Sequence, residues 1–238
     1  MQPFVLESPA VRLEVPGPAD VEAIVDACQD PVLQRFTTVP EPYARSDAAF
    51  FLERIVDHGW VTGREATWGL RGPGSSLLLG VVSVRLGTRD IGFWTAPEAR
   101  GRGLMTAAVR LVADWALGEA GLDQLHWEGY VGNDASAAVA RRCGFTYTGA
   151  GPGMHPGRDG ARPLCWKARL RPGDDRLPKP GWPDLSGGAA RDHTASAADA
   201  DAEADRHDRD RSREWPRVDD VDHRGPQTPG TPRLPEDS

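Results

Sequence analysis

The sequence has few cysteines and no long apolar run, and these absences exclude several classes of protein. Its three cysteines, Cys28, Cys143 and Cys165, are far apart and form no C-x-x-C pair, so we expect no disulfide framework, no zinc ribbon and no metal site. No stretch approaches the roughly 18 apolar residues of a membrane span, and residues 1–5 lack the basic and apolar regions of a signal peptide. We therefore expect a cytoplasmic protein with no membrane partner.

Apolar residues are distributed unevenly over the chain of 238 residues. Aromatic and branched apolar residues are frequent up to about Leu170, whereas residues 171–238 are mostly Asp, Arg, Ala, Gly and Pro. A segment of that composition cannot bury enough apolar surface to offset the entropy lost on ordering. The sequence predicts one globular domain over residues 1–172 and a disordered polyampholytic tail over residues 173–238.

The charge of the predicted domain argues against one class of partner. The formal net charge is −7, and residues 171–238 hold 11 basic and 16 acidic side chains, which leaves 17 and 19 for the remainder. The domain is therefore close to neutral and lacks the basic surface that a phosphate backbone requires. We expect no direct nucleic-acid partner.

Apolar periodicity predicts a mixed α/β (α+β) domain with helices packed on both faces of one twisted sheet. A strand at residues 11–15 precedes two helices, the first ended by Asp30-Pro31, the second starting at Ser46 and ending at Gly59. The remaining predicted elements are strands 67–71, 77–86 and 90–95, a helix 105–118, strand 125–131, a helix 135–142, and strands 146–149 and 164–170. The predicted order is βααβββαβαββ.

The most informative motif is the turn Arg-Gly-Arg-Gly-Leu-Met at residues 100–105, which joins a predicted strand to a predicted helix. The first N–H groups of a helix have no internal partners and, with the helix dipole, they attract an anion. Gly101 and Gly103 allow the backbone to approach closely, and Arg100 and Arg102 add positive charge. The pattern predicts a pyrophosphate site.

Other interpretations of this turn fit the residues less well. A kinase-type P-loop needs a lysine after its second glycine, and none is present. A dinucleotide-binding fingerprint needs a third glycine where Thr106 stands. A turn that merely starts a helix is the remaining alternative, although such a turn does not require two arginines interleaved with two glycines.

These motifs carry a resemblance to a known family. The stretch 91–145 resembles the core of the GNAT superfamily of N-acetyltransferases, especially its RimJ/RimL-like branch. Residues 100–103 meet the first four positions of the family pattern [QR]-x-x-G-x-[GA], whereas Met105 replaces the usual small residue. Asn133 and Ser136, followed by Gly144 and Phe145, resemble the N-x-x-S helix of that branch and its terminal glycine-phenylalanine pair. The resemblance covers roughly residues 9–170.

The resemblance implies a fold in which the two central strands, 90–95 and 125–131, diverge so that the pantetheine arm of acetyl-CoA lies between them. It also implies direct transfer of the acetyl group to a primary amine in a ternary complex, with a backbone N–H near residues 93–95 stabilising the developing oxyanion. The residues implied to contact acetyl-CoA are Phe93, Trp94, Thr95, Arg100, Gly101, Arg102, Gly103, Leu104, Met105, Thr106, Asn133 and Ser136.

The reaction also requires a residue that removes a proton from the amine and one that protonates the leaving sulfur. An amine with a pKa of about 8 to 10.4 arrives largely protonated, so a base or a water relay must remove its proton. Glu128 is the candidate base, and the alternative is a carboxylate that faces outward or is paired with a nearby arginine. By resemblance Ser136 could protonate the leaving sulfur, with Tyr130 and Tyr147 as alternative acids. Asn133 could instead be only a helix cap, and Ser136 a spectator.

Specificity for the acceptor is expected from the early helices with the loop around residues 31–43, and from the polar, glycine-rich segment 151–162. The acceptor is either a protein N-terminus or a small-molecule amine, and the protein is a monomer or a homodimer. The alternative function is a catalytically inactive acetyl-CoA-binding module of the same fold.

Overall fold

An eight-stranded mixed sheet organises residues 1–185, the part of the chain that this computed structural model describes. The sheet order is β1-β2-β3-β4-β5-β6-β8-β7, and every neighbouring pair is antiparallel except β5 and β6, which are parallel. The strands are β1 (Leu6–Glu7), β2 (Arg12–Glu14), β3 (Glu65–Arg71), β4 (Gly80–Arg85), β5 (Asp90–Thr95), β6 (Leu125–Tyr130), β7 (Thr146–Pro152) and β8 (Leu164–Leu170).

The helices connect these strands at three places in the chain: after β2, after β5 and after β6. They are α1 (Val21–Cys28), α2 (Pro31–Phe36), α3 (Arg45–Phe50), α4 (His58–Thr62), α5 (Leu104–Leu117) and α6 (Asp134–Arg142). A π-helical segment, Phe51–Asp57, makes α3 and α4 one continuous helical stretch. Within residues 1–185, no helix is long and apolar enough to cross a bilayer.

The predicted fold class and element order are confirmed, with β1 and α2 as additions. The predicted loop after Asp30 contains α2, because the Asp30 carboxylate accepts the Leu33 N–H at 3.1 Å and Pro31 suits the first helical position. The second predicted helix begins at Arg45, with Ala44 and not Ser46 as its N-cap. It ends at Gly63, whose φ of +67° provides the left-handed stop, and not at Gly59 as the sequence predicts.

One face of the sheet, the apolar face, packs against α5. Strand register places Trp68, Val82 and Phe93 side by side on this face. The Trp115 ring of α5 lies 5.2 Å from the Trp68 ring in an edge-on arrangement. Burial of these aromatic and branched side chains drives the packing of α5 onto the sheet.

The opposite face, the polar face, carries a row of polar and charged side chains. The same register pairs Arg85 with Asp90 across β4 and β5, and Glu128 with Lys167 across β6 and β8. Because side chains alternate along a strand, Glu128 and its neighbour Trp127 lie on opposite faces. The two faces of β6 therefore present different chemistry a single residue apart.

The described chain continues past the predicted boundary at residue 172. Residues 173–185, the C-terminal strap, lie against the domain: Arg176 bonds to Asp114 of α5 at 2.7 Å, and the Trp182 ring contacts the Trp127 ring of β6. Two tryptophan rings offer enough apolar surface to order a short segment that is otherwise poor in apolar residues. The rest of the predicted disordered tail, residues 186–238, lies outside the described residues.

Candidate active site

The two central strands diverge, as the resemblance implied. Cross-strand partners between β5 and β6 are limited to Asp90 with His126 and Ile91 with Trp127. Beyond these pairs β5 stays bonded to β4, and β6 to β8, each to the end of the strand. The sheet therefore splits into two halves, and a wedge-shaped opening lies between residues 92–95 and 128–130.

A groove of about 790 Å³ adjoins this opening. Its walls come from the end of β5, the turn 100–106, the length of α6, α2 and Leu185. Of the residues predicted to contact acetyl-CoA, all except Arg102 line the groove. The sequence reasoning missed the wall made by α2, which contributes Val32, Leu33, Phe36 and Thr37.

The turn before α5 presents free backbone donors to the groove. Gly101 and Gly103 have φ of +71° and +75°, and a Cβ built on either would meet no atom within 4 Å. Glycine is therefore required here for its backbone conformation and not for space. The N-cap Gly103 offers no side chain to α5, and no acceptor within residues 1–185 bonds the amides of residues 101–106. This arrangement fits an anionic group.

The two arginines of the turn have different surroundings. Arg100 pairs with the Asp30 carboxylate and donates through Nε to the Thr95 carbonyl at 3.3 Å. Its charge is thus partly neutralised, and the pair fixes the start of α2 against the turn. Arg102 is exposed and lies outside the groove lining. Arg142, at the end of α6, also lines the groove, and its only signal in the sequence is its place in the last turn of a helix.

Met105 departs from the family pattern but leaves the turn open. Its side chain is 5% exposed and points into the core. A Cβ on Gly80 would lie 3.2 Å from Met105 Cε and 2.4 Å from the Trp94 carbonyl oxygen. Because Gly80 has no side chain, it leaves room for the Met105 side chain, which is larger than the residue usual at this position. A glycine inside a predicted strand is the sequence signal for such a close approach.

The start of α6 brings Asn133 and Ser136 to the groove. Asn133 Oδ1 accepts the Ser136 N–H at 3.2 Å, so the predicted helix cap is confirmed. Ser136 Oγ accepts the Trp127 indole N–H at 3.2 Å. A hydroxyl has one proton and two lone pairs, so this bond leaves the Ser136 proton available for donation.

Glu128 lies on the polar face and outside the groove lining. Its two carboxylate oxygens accept the Met154 N–H at 2.8 and 3.0 Å, and Lys167 Nζ is 3.9 Å away. The ion-paired alternative is therefore met, by a lysine in place of the arginine that the sequence reasoning had considered. The same bonds anchor residues 153–163, the β7–β8 loop, above the opening.

The two tyrosines considered as acids have different surroundings. Burial raises the pKa of Tyr130, and its hydroxyl lies 3.7 Å from where a Cβ on Gly157 would be, beneath the β7–β8 loop. The Tyr147 ring contacts the Trp182 ring at 5.4 Å, and Tyr147 does not line the groove. Neither lies at the start of α6, where Ser136 meets the groove.

The β7–β8 loop also reaches the first predicted specificity segment. Arg158 donates to Glu41 Oε2 at 2.5 Å and to the Gln34 carbonyl at 2.6 Å. These bonds connect the loop to the end of α2 and to the chain that follows it. The two segments predicted to set acceptor specificity thus meet over one side of the opening.

A buried carboxylate supports the same loop from below. Asp90 is 2% exposed and accepts bonds from Arg85 Nε at 2.9 Å and from Thr88, with His155 Nε2 at 3.7 Å. Burial raises the pKa of Asp90, but the contacts with His155 and Arg85 outweigh it and hold that pKa well below its usual range. The ionised carboxylate is the partner that keeps His155 over β5.

Within residues 1–185 no group of His, Cys, Asp and Glu side chains could hold a metal ion.

Comparison with known proteins gives one family and a consistent set of folds. Residues 11–146 match the family model described as "Acetyltransferase (GNAT) domain". The Bacillus subtilis (strain 168) protein named "Putative ribosomal N-acetyltransferase YdaF" is 40% identical over 60 residues, which are 25% of this chain and 33% of that protein. The matched stretch thus spans about a third of the length of that relative.

Two solved structures show the likeness of the fold. RimJ of Mycobacterium smegmatis, in complex with CoA-disulfide, has a TM-score of 0.60 and 20% identity over 72% of this chain and 90% of that chain. RimL, a ribosomal L7/L12 alpha-N-protein acetyltransferase in complex with coenzyme A, has a TM-score of 0.62 and 17% identity over 72% of this chain and all of that chain.

Proposed function

This chain belongs to the GNAT family of acetyltransferases, and from that premise we propose that it transfers the acetyl group of acetyl-CoA to a primary amine in a ternary complex. The observation that carries the proposal is the divergence of β5 and β6 beside the uncapped start of α5. The opening offers unpaired strand edges to the pantetheine arm, and the turn offers free amides to the pyrophosphate.

The residues present fit acetyl-CoA, which supplies an activated thioester when bound. The groove volume of about 790 Å³ lies within the range of roughly 300–1,000 Å³ typical of small-molecule sites. Leu104 and Ala138 contribute apolar lining, and Arg142 adds a positive charge at the end of α6. We call this side of the opening, with the turn and α6, the cofactor side.

The chain's own groups divide the chemistry between the two faces of the sheet. Past Ile91 the β6-facing edge of β5 has no strand partner, and a backbone N–H between Phe93 and Thr95 is the proposed oxyanion donor. As the N–C bond forms and the C–S bond breaks, Glu128 accepts the proton of the amine, directly or through water. Ser136 donates its proton to the sulfur and regains one from solvent.

The acceptor amine is proposed to enter on the polar face, beneath the β7–β8 loop. We call this the acceptor side. Glu128 and the loop that it anchors lie there, and Arg158 links the loop to α2. The names of YdaF and RimL refer to ribosomal substrates, so a protein N-terminus is the first acceptor class to test, with small amines second.

The test is acceptor-dependent release of free thiol from acetyl-CoA. Purified full-length protein is mixed with acetyl-CoA and with peptides of varied N-terminal residue or with polyamines, and acetylated products are identified by mass spectrometry. We expect release only with an acceptor whose mass rises by one acetyl group. Calorimetric binding of acetyl-CoA without release in any mixture would instead support the inactive acetyl-CoA-binding module.

A further inference from the structure

The C-terminal strap contacts the candidate site at two points, and we propose that it is a working part of that site. In this proposal Trp182 is a positioning residue that holds Ser136 through Trp127, and Leu185 completes the wall of the groove. The strap lies beyond residues 11–146, the part matched by the family model. The inference rests on the proposed function for the role of Ser136.

The strap is fixed to the domain before it reaches the site. A Cβ built on Gly144 would lie 2.4 Å from the Asp175 carbonyl oxygen and 2.8 Å from Arg176 Cα, so the strap backbone crosses directly over this glycine. Two nitrogens of the Arg176 guanidinium donate to Asp114 Oδ1 of α5, at 3.1 and 2.7 Å. Contacts this close leave the following residues little freedom of path.

Trp182 forms one end of a chain of contacts that leads to the groove. Its ring lies 5.6 Å from the Trp127 ring, and its indole N–H donates to the Phe145 carbonyl at 3.3 Å. Trp127 is 2% exposed, and its own indole N–H donates to Ser136 Oγ at 3.2 Å. Any rotation of the Trp127 ring would break that bond, and the Trp182 ring opposes such rotation from one side.

The bond from Trp127 also determines what Ser136 can do. Because the indole N–H uses a lone pair of Ser136 Oγ, the hydroxyl proton must point elsewhere, and a hydroxyl that accepts a hydrogen bond is a better donor. The proton of Ser136 is therefore directed away from Trp127 and is free to point toward the groove that Ser136 lines. Trp182 acts on the reaction only through this orientation.

Leu185 is the second point of contact. Its side chain packs against the core and lines the groove, together with Ala138, Val139 and Arg142 of α6. Loss of this apolar side chain would expose part of the wall to water and weaken the binding of coenzyme A. Leu177 offers a matched control, because it belongs to the same strap, is 67% exposed and lies outside the groove lining.

The orientation of Ser136 is tested by a double-mutant cycle in kcat on the full-length protein. Trp182→Ala should lower kcat about tenfold, the size expected for loss of an aromatic pair. In a Ser136→Ala background it should change kcat less than about twofold, because interacting residues give non-additive effects. Trp182→Phe keeps the ring contact and should restore most of the rate. If the decrease of kcat in the double variant equals the product of the two single decreases, the positioning role of Trp182 is overturned.

The wall contributed by Leu185 is tested separately by calorimetry with coenzyme A. Leu185→Ser should raise Kd about three- to tenfold by removing buried apolar area, and Leu177→Ser should leave it unchanged. Equal Kd values for the two variants would overturn this half of the proposal. An unchanged kcat in Ser136→Ala would contradict the proposed role of Ser136 as the acid, and with it the positioning role of Trp182. The effect of Leu185→Ser on coenzyme A binding does not depend on that acid and would still be informative.

Discussion

The two sides of the opening between β5 and β6 are built in different ways. Most of the cofactor side comes from two continuous stretches, residues 93–106 and 133–142, with smaller contributions from α2 and Leu185, and its main donors are backbone amides. The acceptor side is assembled from side chains that are distant in sequence: Arg158 contacts Glu41 and Gln34, which are 117 and 124 positions away. Most substitutions leave backbone amides in place, so the binding groups of the cofactor side persist. On the acceptor side, a single substitution can remove one of the contacts that form the site.

The largest expected effect concerns the proton acceptor on the acceptor side. Glu128→Gln keeps an oxygen that accepts the Met154 N–H but removes the group that takes a proton. We expect kcat to fall about 100- to 1,000-fold, the range for general bases, with unchanged coenzyme A affinity and melting temperature. Glu98→Gln, at an exposed position outside the groove, is the control. A kcat near that of the wild type would leave Glu128 as an anchor of the β7–β8 loop only.

The backbone origin of the cofactor side is tested at Gly103. Proline cannot adopt its φ of +75° and carries no N–H, so Gly103→Pro should weaken coenzyme A binding on the order of 100-fold. Gly74→Pro is the matched control, because Gly74 has φ of +67° and equally open surroundings but lies outside the groove. Calorimetry should show loss of affinity in the first variant alone. Equal affinities would show that the turn does not bind the cofactor.

The smallest expected effect concerns the connection across the acceptor side. Arg158→Ala removes the bonds to Glu41 and to the Gln34 carbonyl, and half-exposed ion pairs of this kind contribute up to about 1 kcal/mol. We expect KM for the acceptor to rise about three- to fivefold, with KM for acetyl-CoA unchanged. Arg162→Ala is the control, because Arg162 forms no ion pair within residues 1–185. Parallel increases in both KM values would show that the two sides are not separable.

The cofactor side could be predicted largely from the sequence, because its signals are local. The bounds of β5 and β8 agree with the predicted strands, and α6 begins one residue before the predicted helix, with Asn133 as its cap. Glycines at 101 and 103 gave the turn, since positive φ strongly favours glycine. The resemblance to the GNAT family then supplied what periodicity cannot, the divergence of the two parallel strands.

The contacts that sequence reasoning missed are non-local. Arg100 bonds Asp30, 70 positions earlier, and no pattern near the turn indicates that partner. Asp30-Pro31 indicates the end of α1 and the start of α2 equally well, because proline both stops one helix and begins another. The strap was missed because its composition is polar overall, and Trp182 alone supplies the large ring that holds it.

The contact between Trp182 and Trp127 gives the protein an optical reporter at its own site. Two indole rings 5.6 Å apart couple electronically, and the contact involves only side chains that a folded strap holds in place. Near-ultraviolet circular dichroism depends on such fixed aromatic packing. In a second group, formed with β3 in the other half of the sheet, the rings of Phe4, Trp60 and Trp68 all contact one another. The signal of the Trp182–Trp127 contact, identified by its loss in Trp182→Ala, can therefore report docking of the strap without an attached label.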